Sequence, residues 1–195
     1  MSKLYFRYGA MNSGKSTHLM QVAHNYEERG MKVALIKPGV DKKGGDKLVS
    51  RLGVERKVDL LISNEDNAYA KIKGYVDLKE KVDCILVDEA QFLKADQIDG
   101  LFQVAVVLDI PVICYGLRTD FKMQGFEGSI RLLLIAHSVE EMKTICNCGK
   151  KAVLNGRKIN GKFVFEGKQI AIDNIDNVEY ESLCGHCYYK YKNEL

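Results

Sequence analysis

The chain has 195 residues, of which 46% are hydrophobic and 28% charged, the composition of an ordinary globular protein. Its net charge is only +3, and lysines and arginines alternate with acidic residues, which argues against a nucleic-acid-binding protein. No apolar run approaches the roughly 20 residues that span a bilayer, and the N-terminus lacks the pattern of a secretory signal. We therefore expect a cytoplasmic protein without membrane or nucleic-acid partners, whose six cysteines are reduced thiols or metal ligands.

Short apolar runs alternate with helix-like stretches along the first 115 residues. The runs are rich in β-branched or aromatic residues and too short for helices, so they predict buried strands at Leu4–Tyr8, Val33–Ile36, Cys84–Val87 and Val112–Tyr115. Apolar residues at helical spacing predict helices from Thr17 to Arg29 and from Ala95 to Leu108. This alternation predicts an α/β fold with a parallel sheet and helices on both faces. The Gly- and Lys-rich loop from Gly39 to Lys47 is expected to be mobile.

A glycine-rich loop follows the first predicted strand and matches the pattern G-x-x-x-x-G-K-[ST]. Its two glycines let the backbone curl so that N–H groups point at phosphate oxygens, and the next helix adds the positive end of its dipole. The lysine can reach the β- and γ-phosphates, and the final serine hydroxyl is a ligand for Mg²⁺. The pattern predicts an ATP-binding loop that consists of Gly9, Ala10, Met11, Asn12, Ser13, Gly14, Lys15 and Ser16.

A second apolar strand ends in two acidic residues. Asp88 has the position of an aspartate that holds Mg²⁺, usually through water, beside such a phosphate loop. Glu89 follows directly, and a carboxylate there can take a proton from the group that attacks the γ-phosphate. If Glu89 activates water, the protein is an ATPase, and if it activates an alcohol, the protein is a kinase. The two motifs alone leave both readings open.

The pattern changes after about Lys143, where helix signals become rare. Asn160-Gly161 supplies the positive φ angles of a tight turn between Arg157–Ile159 and Lys162–Phe165, which predicts a hairpin. We predict two domains: a nucleotide-binding core at residues 1–143 and a small β-rich domain at residues 144–195.

The second domain holds two pairs of cysteines. One pair has the C-x-x-C spacing at which two thiolates reach one tetrahedral zinc ion, and the other has the tighter C-x-C spacing. The 35 residues between the pairs contain the predicted hairpin, so the pairs can meet. We predict a structural Zn²⁺ site, the alternative being four reduced thiols without metal. The expected ligands are Cys146, Cys148, Cys184 and Cys187.

Two histidines could replace a cysteine at the metal, and two further cysteines are not expected to bind it. His186 and His137 are alternative zinc ligands if one thiolate cannot reach the metal. Cys84 and Cys114 lie inside apolar strands and are expected to be small core residues without a role in a site.

Several segments together resemble the thymidine kinase family that carries a zinc module. They are the phosphate loop with Thr17, Ile-Lys-Pro at 36–38, Val-Ser-Arg-Leu-Gly at 49–53, Asp-Glu-Ala-Gln-Phe at 88–92, Tyr-Gly-Leu-Arg-Thr-Asp-Phe at 115–121, and the cysteine pairs. The resemblance implies a RecA-like P-loop core and a zinc-bound lasso domain that closes over the nucleoside. It also implies transfer of the γ-phosphate of MgATP to thymidine in DNA-precursor salvage, homotetramers, and inhibition by thymidine triphosphate.

The same resemblance implies roles for particular residues. Glu89 matches the general base for the 5′-hydroxyl, and Gln91 falls in the motif that completes the ATP and phosphate site. The substrate-binding residues it implies are Phe92, Leu117, Phe121 and Tyr180, and main-chain groups around Ile172–Asn174 are expected to bind the base edge.

The chain departs from the family pattern near the phosphates. The family usually has Asp-x-Arg where this chain has Asp41-Lys42-Lys43. Lys43 keeps the positive charge but lacks the two-pronged guanidinium, and Arg51 is a second candidate for this region.

The rival hypothesis is a P-loop ATPase or zinc-ribbon module that acts on nucleic acid. The basic segment Tyr188–Lys192 favours it slightly, because aromatic residues beside lysines can stack on bases.

Overall fold

The structure, a computed structural model, describes residues 1–39, 47–49, 53, 55–79, 81–169 and 177–193. In chain order the strands are β1 (Leu4–Tyr8), β2 (Val33–Pro38), β3 (Lys47–Val49), β4 (Glu55–Lys57), β5 (Leu60–Ile62), β6 (Cys84–Val87), β7 (Val112–Gly116), β8 (Ser138–Glu141), β9 (Thr144–Ile145), β10 (Lys151–Ala152), β11 (Leu154–Ile159), β12 (Lys162–Val164) and β13 (Val178–Leu183). The α-helices are α1 (Lys15–Glu27), α2 (Ala68–Asp77), α3 (Ala95–Val107), α4 (Glu127–Ile135) and α5 (Gly185–Asn193), and a 3₁₀ turn spans Ala90–Phe92. Lys43, Arg51, residues 172–174 and most of the loop predicted to be mobile lie outside the described residues.

Six strands form the central sheet in the order β5-β2-β6-β7-β1-β8, and every neighbouring pair is parallel. The strand before the phosphate loop, β1, is separated by β7 from β6, the strand that ends beside the two acids. The four predicted strands and the parallel arrangement are confirmed, as is the P-loop type of core. Two short strands at the sheet edges, β5 and β8, carry no apolar signal long enough to have been predicted.

Helices cover both faces of this sheet because successive side chains of a strand point to opposite faces. On one face, alternate strand residues such as Phe6 and Ile85 pack in one cluster with residues of α2, α3 and α4. On the other face, Leu35, Leu86 and Tyr115 pack with residues of α1. The predicted covering of both faces is therefore confirmed.

Strands after residue 143 form two small antiparallel sheets, β10-β9 and β12-β11-β13. The predicted hairpin joins β11 to β12, and Asn160 and Gly161 have φ of 50° and 77°, as a tight turn of this kind requires. A small buried cluster lies between these strands and α5, and three of its six members are cysteines. We call the described residues from 144 onwards the cysteine module.

No helix in the described part of the chain is long and apolar enough to cross a membrane.

Candidate active site

The glycine-rich loop leaves β1 at Gly9, whose N–H donates to the carbonyl of Gly116 at the end of β7 (3.2 Å). A Cβ atom at Gly9 would lie 2.3 Å from Ser13 Oγ and 2.6 Å from the carbonyl oxygen of Met142, so only glycine fits. Gly14 has φ of 76°, which lets the chain turn directly into α1. The loop therefore leads from the end of β1 directly into the N-terminus of α1, an arrangement typical of phosphate-binding loops.

Lys15, the first residue of α1, folds back over this loop. Its ammonium donates to the carbonyl of Ala10 (2.9 Å) and lies 3.3 Å from Ser13 Oγ. The charge therefore sits at the rim of the loop, where it can turn to a bound phosphate. Ser16 is the next residue of α1.

The two acids follow β6 at the same edge of the sheet. Asp88 is 3% exposed, and its N–H donates to the carbonyl of Ile36 on β2 (3.0 Å). Glu89 is half-buried and has φ of 49° and ψ of 37°, a conformation that costs a non-glycine residue on the order of 1–3 kcal/mol. Because carboxyl ends of parallel strands share one edge, these carboxylates and the phosphate loop face the same crevice.

Gln91 connects Glu89 to the segment after β7. Its side-chain N–H₂ donates to Glu89 Oε2, and its Oε1 accepts the main-chain N–H of Leu117 (3.1 Å). Gln91 is 2% exposed, so this orientation is fixed by packing. The contacts of Gln91 thus orient the carboxylate of Glu89 relative to Leu117.

The four predicted nucleoside-binding residues lie in the 3₁₀ turn, in the segment after β7 and on β13. Phe92 is half-buried and meets Phe126 edge to face, with ring centroids 5.7 Å apart. Leu117 is half-buried beside Gln91, as described. Phe121 is only 1% exposed, so it offers little surface in this structure. Tyr180 is half-buried on β13, where it is paired with Arg157 of β11.

Asn155 is a residue of this region that sequence reasoning missed. It lies on β11 and is 3% exposed. Its Oδ1 accepts the N–H of Met11 in the phosphate loop (2.7 Å), and its Nδ2 donates to the carbonyl of Thr119 (2.8 Å). An asparagine inside a strand is unfavourable, which is the only local signal it gives. One side chain of the cysteine module therefore joins the phosphate loop to the Leu117–Phe121 segment.

The four cysteines of the module meet at one point. Their sulfur atoms all lie within 4.8 Å of one another, and those of Cys148 and Cys184 are 3.6 Å apart. Tetrahedral zinc holds thiolates at about 2.3 Å, which puts the sulfurs about 3.8 Å apart, so this donor set fits the ion. The N–H of Cys187 donates to the sulfur of Cys184 (3.4 Å) and lowers the pKa of that thiol, whereas the hydrogen bond with Cys148 raises the pKa of Cys187.

Neither histidine belongs to this group in the described residues. His137 lies far away on the sheet, where its Nδ1 accepts the N–H of Leu4 (3.0 Å) and its ring stacks on Phe102. Cys84 and Cys114 are fully buried, and burial raises the pKa of Cys84 to about 11, so both are core residues as predicted.

The basic segment that favoured nucleic-acid binding begins in the interior. Tyr188 is 1% exposed, and its hydroxyl donates to the carbonyl of Phe121 (2.8 Å). It therefore cannot stack on a base, and its role is to pack α5 against the Phe121 segment.

Comparison with known proteins agrees with this geometry. The family model described as thymidine kinase matches residues 2–188. The thymidine kinase of Francisella tularensis subsp. holarctica is 42% identical over 189 residues, covering 94% of this chain and 95% of that relative. That of Streptococcus gordonii is 44% identical, with 97% of each chain covered. That of Mannheimia succiniciproducens is 46% identical, covering 94% of this chain and 93% of the relative.

Among solved structures, a DNA replication initiation factor matches with a TM-score of 0.42 and 18% identity. The match covers 72% of this chain and 40% of that chain. The family model and the relatives each cover nearly the whole sequence, and therefore the chain belongs to the thymidine kinase family.

Proposed function

We propose that the protein transfers the γ-phosphate of ATP to the 5′-hydroxyl of thymidine and so makes thymidine monophosphate for DNA-precursor salvage. The observation that carries this proposal is the placement of a phosphate loop and of Glu89 at one edge of the sheet, in a chain of the thymidine kinase family. The family name supplies the nucleoside, and the geometry supplies the phosphate donor site.

The eight loop residues from Gly9 to Ser16 bind the ATP phosphates. Main-chain N–H groups bind phosphate oxygens, and the ammonium of Lys15 moves from its carbonyl contacts to the β- and γ-phosphates. Ser16 and Asp88 would hold Mg²⁺, which supplies positive charge to the transferring phosphoryl group when bound. Gln91 contributes by keeping the site ordered around Glu89.

Glu89 is the general base. Its carboxylate takes the proton of the 5′-hydroxyl while that oxygen forms a bond to the γ-phosphorus and the bond to the β–γ bridging oxygen breaks, so that ADP leaves. The hydrogen bond from Gln91 holds one carboxylate oxygen, which leaves the other for the hydroxyl. The strained backbone of Glu89 is consistent with a residue held in position for a reaction.

Phe92, Leu117, Phe121 and Tyr180 form the nucleoside site. Flat apolar side chains with a few fixed polar groups are what a pyrimidine base requires. Leu117 is held to Gln91, and hence to Glu89, by the hydrogen bond at its main-chain N–H. This link fixes the position of Leu117 in the proposed base site relative to the carboxylate of Glu89.

The cysteine module closes the site. Zn²⁺ held by its four cysteines has no open coordination position, so it is structural and contributes to folding of a module with few apolar residues. We place the domain boundary between residues 143 and 144, before β9. We further propose a cytoplasmic homotetramer that is inhibited by thymidine triphosphate, as the resemblance implies.

The test is to supply the protein with ATP and Mg²⁺ and to add either thymidine or single-stranded DNA. We expect thymidine to stimulate ADP release, with one thymidine monophosphate formed for each ADP. Stimulation by DNA alone would favour the rival ATPase. Failure to phosphorylate any member of a deoxynucleoside panel that includes deoxyuridine would refute the proposal.

A further inference from the structure

One buried arginine of the cysteine module lies against the core. Arg157 is on β11, two residues after Asn155 and on the same face of the strand, and it is 5% exposed. The carbon of its guanidinium lies 3.7 Å from the centroid of the Phe121 ring. At this distance the planar cation stacks on the aromatic face.

The same guanidinium holds two carbonyl groups of the loop after β12. Nη1 donates to the carbonyl of Lys168 (3.0 Å) and Nη2 to that of Glu166 (2.7 Å). Between them Gly167 has φ of +110°, and a Cβ atom there would lie 2.6 Å from Nη2. Lys122, the residue after Phe121, donates to the carbonyl of Gly167 (2.9 Å). We call Glu166–Lys168 the clasp, because these bonds fasten it to the segment that carries Phe121.

A contribution to the stability of the fold does not explain why position 157 is an arginine. A buried cation is costly unless it is fully hydrogen-bonded, and the Nε of Arg157 has no partner among the residues that the structure describes. The clasp residues are themselves exposed, so their carbonyl groups could bind water instead. An apolar side chain of similar length would therefore cost the fold little, whereas it would break both bonds from Arg157 to the clasp and leave the bond from Lys122 to Gly167.

We propose that Arg157 is a positioning residue for thymidine, in that it fixes the Phe121 ring and the clasp relative to each other. This inference rests on the proposed function, because Phe121 belongs to the proposed nucleoside site. The guanidinium hydrogen bonds of Arg157 go to the clasp, whereas Asn155 is the residue that binds the phosphate loop. Its removal should therefore weaken binding of the nucleoside and spare ATP.

The experiment is steady-state kinetics on Arg157→Met and Arg157→Lys, with zinc content and Tm measured on each protein. Methionine keeps length and contact with the ring but donates no hydrogen bond, so we expect the KM for thymidine to rise roughly 10-fold. The KM for ATP, zinc content and Tm should stay close to those of the parent protein. Lysine keeps the charge and can reach one carbonyl, so it should give an intermediate KM for thymidine.

Lys158→Gln is the matched control. Lys158 is the next residue of β11 and also a cation above a ring, but its ammonium lies 4.6 Å from the centroid of Phe163 and pairs with Glu181. Adjacent strand residues point to opposite faces, so this pair does not touch Phe121. We expect its KM values to match those of the parent protein.

Gly167→Ala tests the clasp from its other side, since the new Cβ atom would displace Nη2. It should raise the KM for thymidine, because it displaces Nη2 and because a φ of +110° strains alanine.

The inference is overturned if both Arg157 variants keep the parental KM for thymidine. It is equally overturned if Tm and both KM values change together, since that pattern marks a purely structural residue. If Arg157→Met does not fold, Arg157→Lys decides by the same criteria. A parent protein that makes no thymidine monophosphate would instead refute the proposed function.

Discussion

The phosphate loop and the cysteine module are ordered by different means. The loop is fixed by main-chain geometry: Gly9 has no room for a side chain, and the elements on either side of the loop belong to two large apolar clusters. The module has only six buried residues in its cluster, of which three are cysteines. A core of this size gives little hydrophobic stabilisation, so the Zn²⁺ that we propose at the four cysteines would add stability that the apolar residues of the module do not supply.

This difference separates the groups proposed to carry the chemistry from those that hold loops in place. The groups that we propose to bind phosphate and to take a proton lie before residue 144, whereas the module contributes side chains that hold loops. Asn155 and Tyr188 reach from the module to Met11 and Phe121 of the core, so the two regions are joined by a few polar contacts. Changes in each region should therefore have distinct kinetic and thermal effects.

The largest effect should come from Glu89→Gln, which changes the core alone. Glutamine cannot take the proton of the 5′-hydroxyl, so we expect kcat to fall roughly 10²–10⁴-fold. ATP binding, measured by titration with a fluorescent analogue, should be retained, and the Tm of the protein should not fall. Near-normal turnover would remove Glu89 from the mechanism.

The next largest effect should come from loss of a proposed zinc ligand, which changes the cysteine module and not the core. In Cys148→Ser the four-thiol set is broken, and we expect zinc affinity to fall more than about 100-fold, since even residues behind the ligands contribute 10–100-fold at metal sites. Zinc content by atomic absorption and thymidine phosphorylation should both decrease, because under our proposal the metal contributes to folding of the module.

The control for Cys148→Ser is His186→Ala, which lies between two of the ligands and is exposed. It should keep a full complement of zinc. Loss of zinc in this variant, with retention in Cys148→Ser, would mean that the histidine is a ligand and that the cysteine set is wrong.

The contrast between the two regions also explains what the sequence could predict. The strands Leu4–Tyr8 and Cys84–Val87 were predicted with their observed bounds, because buried parallel strands are continuous apolar runs between turn signals. Helix α1 starts at Lys15, two residues before its apolar pattern begins, because the loop feeds directly into its first turn. Strand β8 was missed because it lies at an edge and three of its four residues are exposed.

The joining contacts could not be predicted from local patterns. The bond from Met11 to Asn155 connects residues 144 positions apart, and a polar residue that is satisfied by such a distant partner leaves no periodicity. The same holds for Arg157, which in sequence is only one of several cations near a hairpin. The cysteine spacing, by contrast, predicted the cluster, because metal ligands must come in pairs that reach one ion.

A smaller effect is expected from Gly9→Ala, which tests whether sterics alone order the phosphate loop. The new Cβ atom would overlap the carbonyl of Met142, so the loop must shift. We expect the KM for ATP to rise about tenfold, which corresponds to the lower end of the 1–3 kcal/mol cost of overpacking. The KM for thymidine should change less.

Gly74→Ala is the control for that substitution. Gly74 is exposed inside α2 with nothing within 4 Å of its would-be Cβ atom, so alanine should stabilise the helix by about 1 kcal/mol and raise Tm. Both KM values should stay unchanged. If Gly9→Ala behaves in the same way, close packing does not order the loop.

The smallest effect should come from Asn155→Ala, which removes a side chain of the module that binds two segments of the core. It removes the acceptor for Met11 and the donor to Thr119, so both KM values should rise, each by roughly fivefold, the cost of one or two lost hydrogen bonds. Asn25→Ala, on the exposed face of α1, should change neither. Arg157 lies on the same face of β11 but stacks on Phe121 in the proposed nucleoside site. If Asn155→Ala raises only one of the two KM values, the module holds the phosphate loop and the Thr119 segment independently of each other.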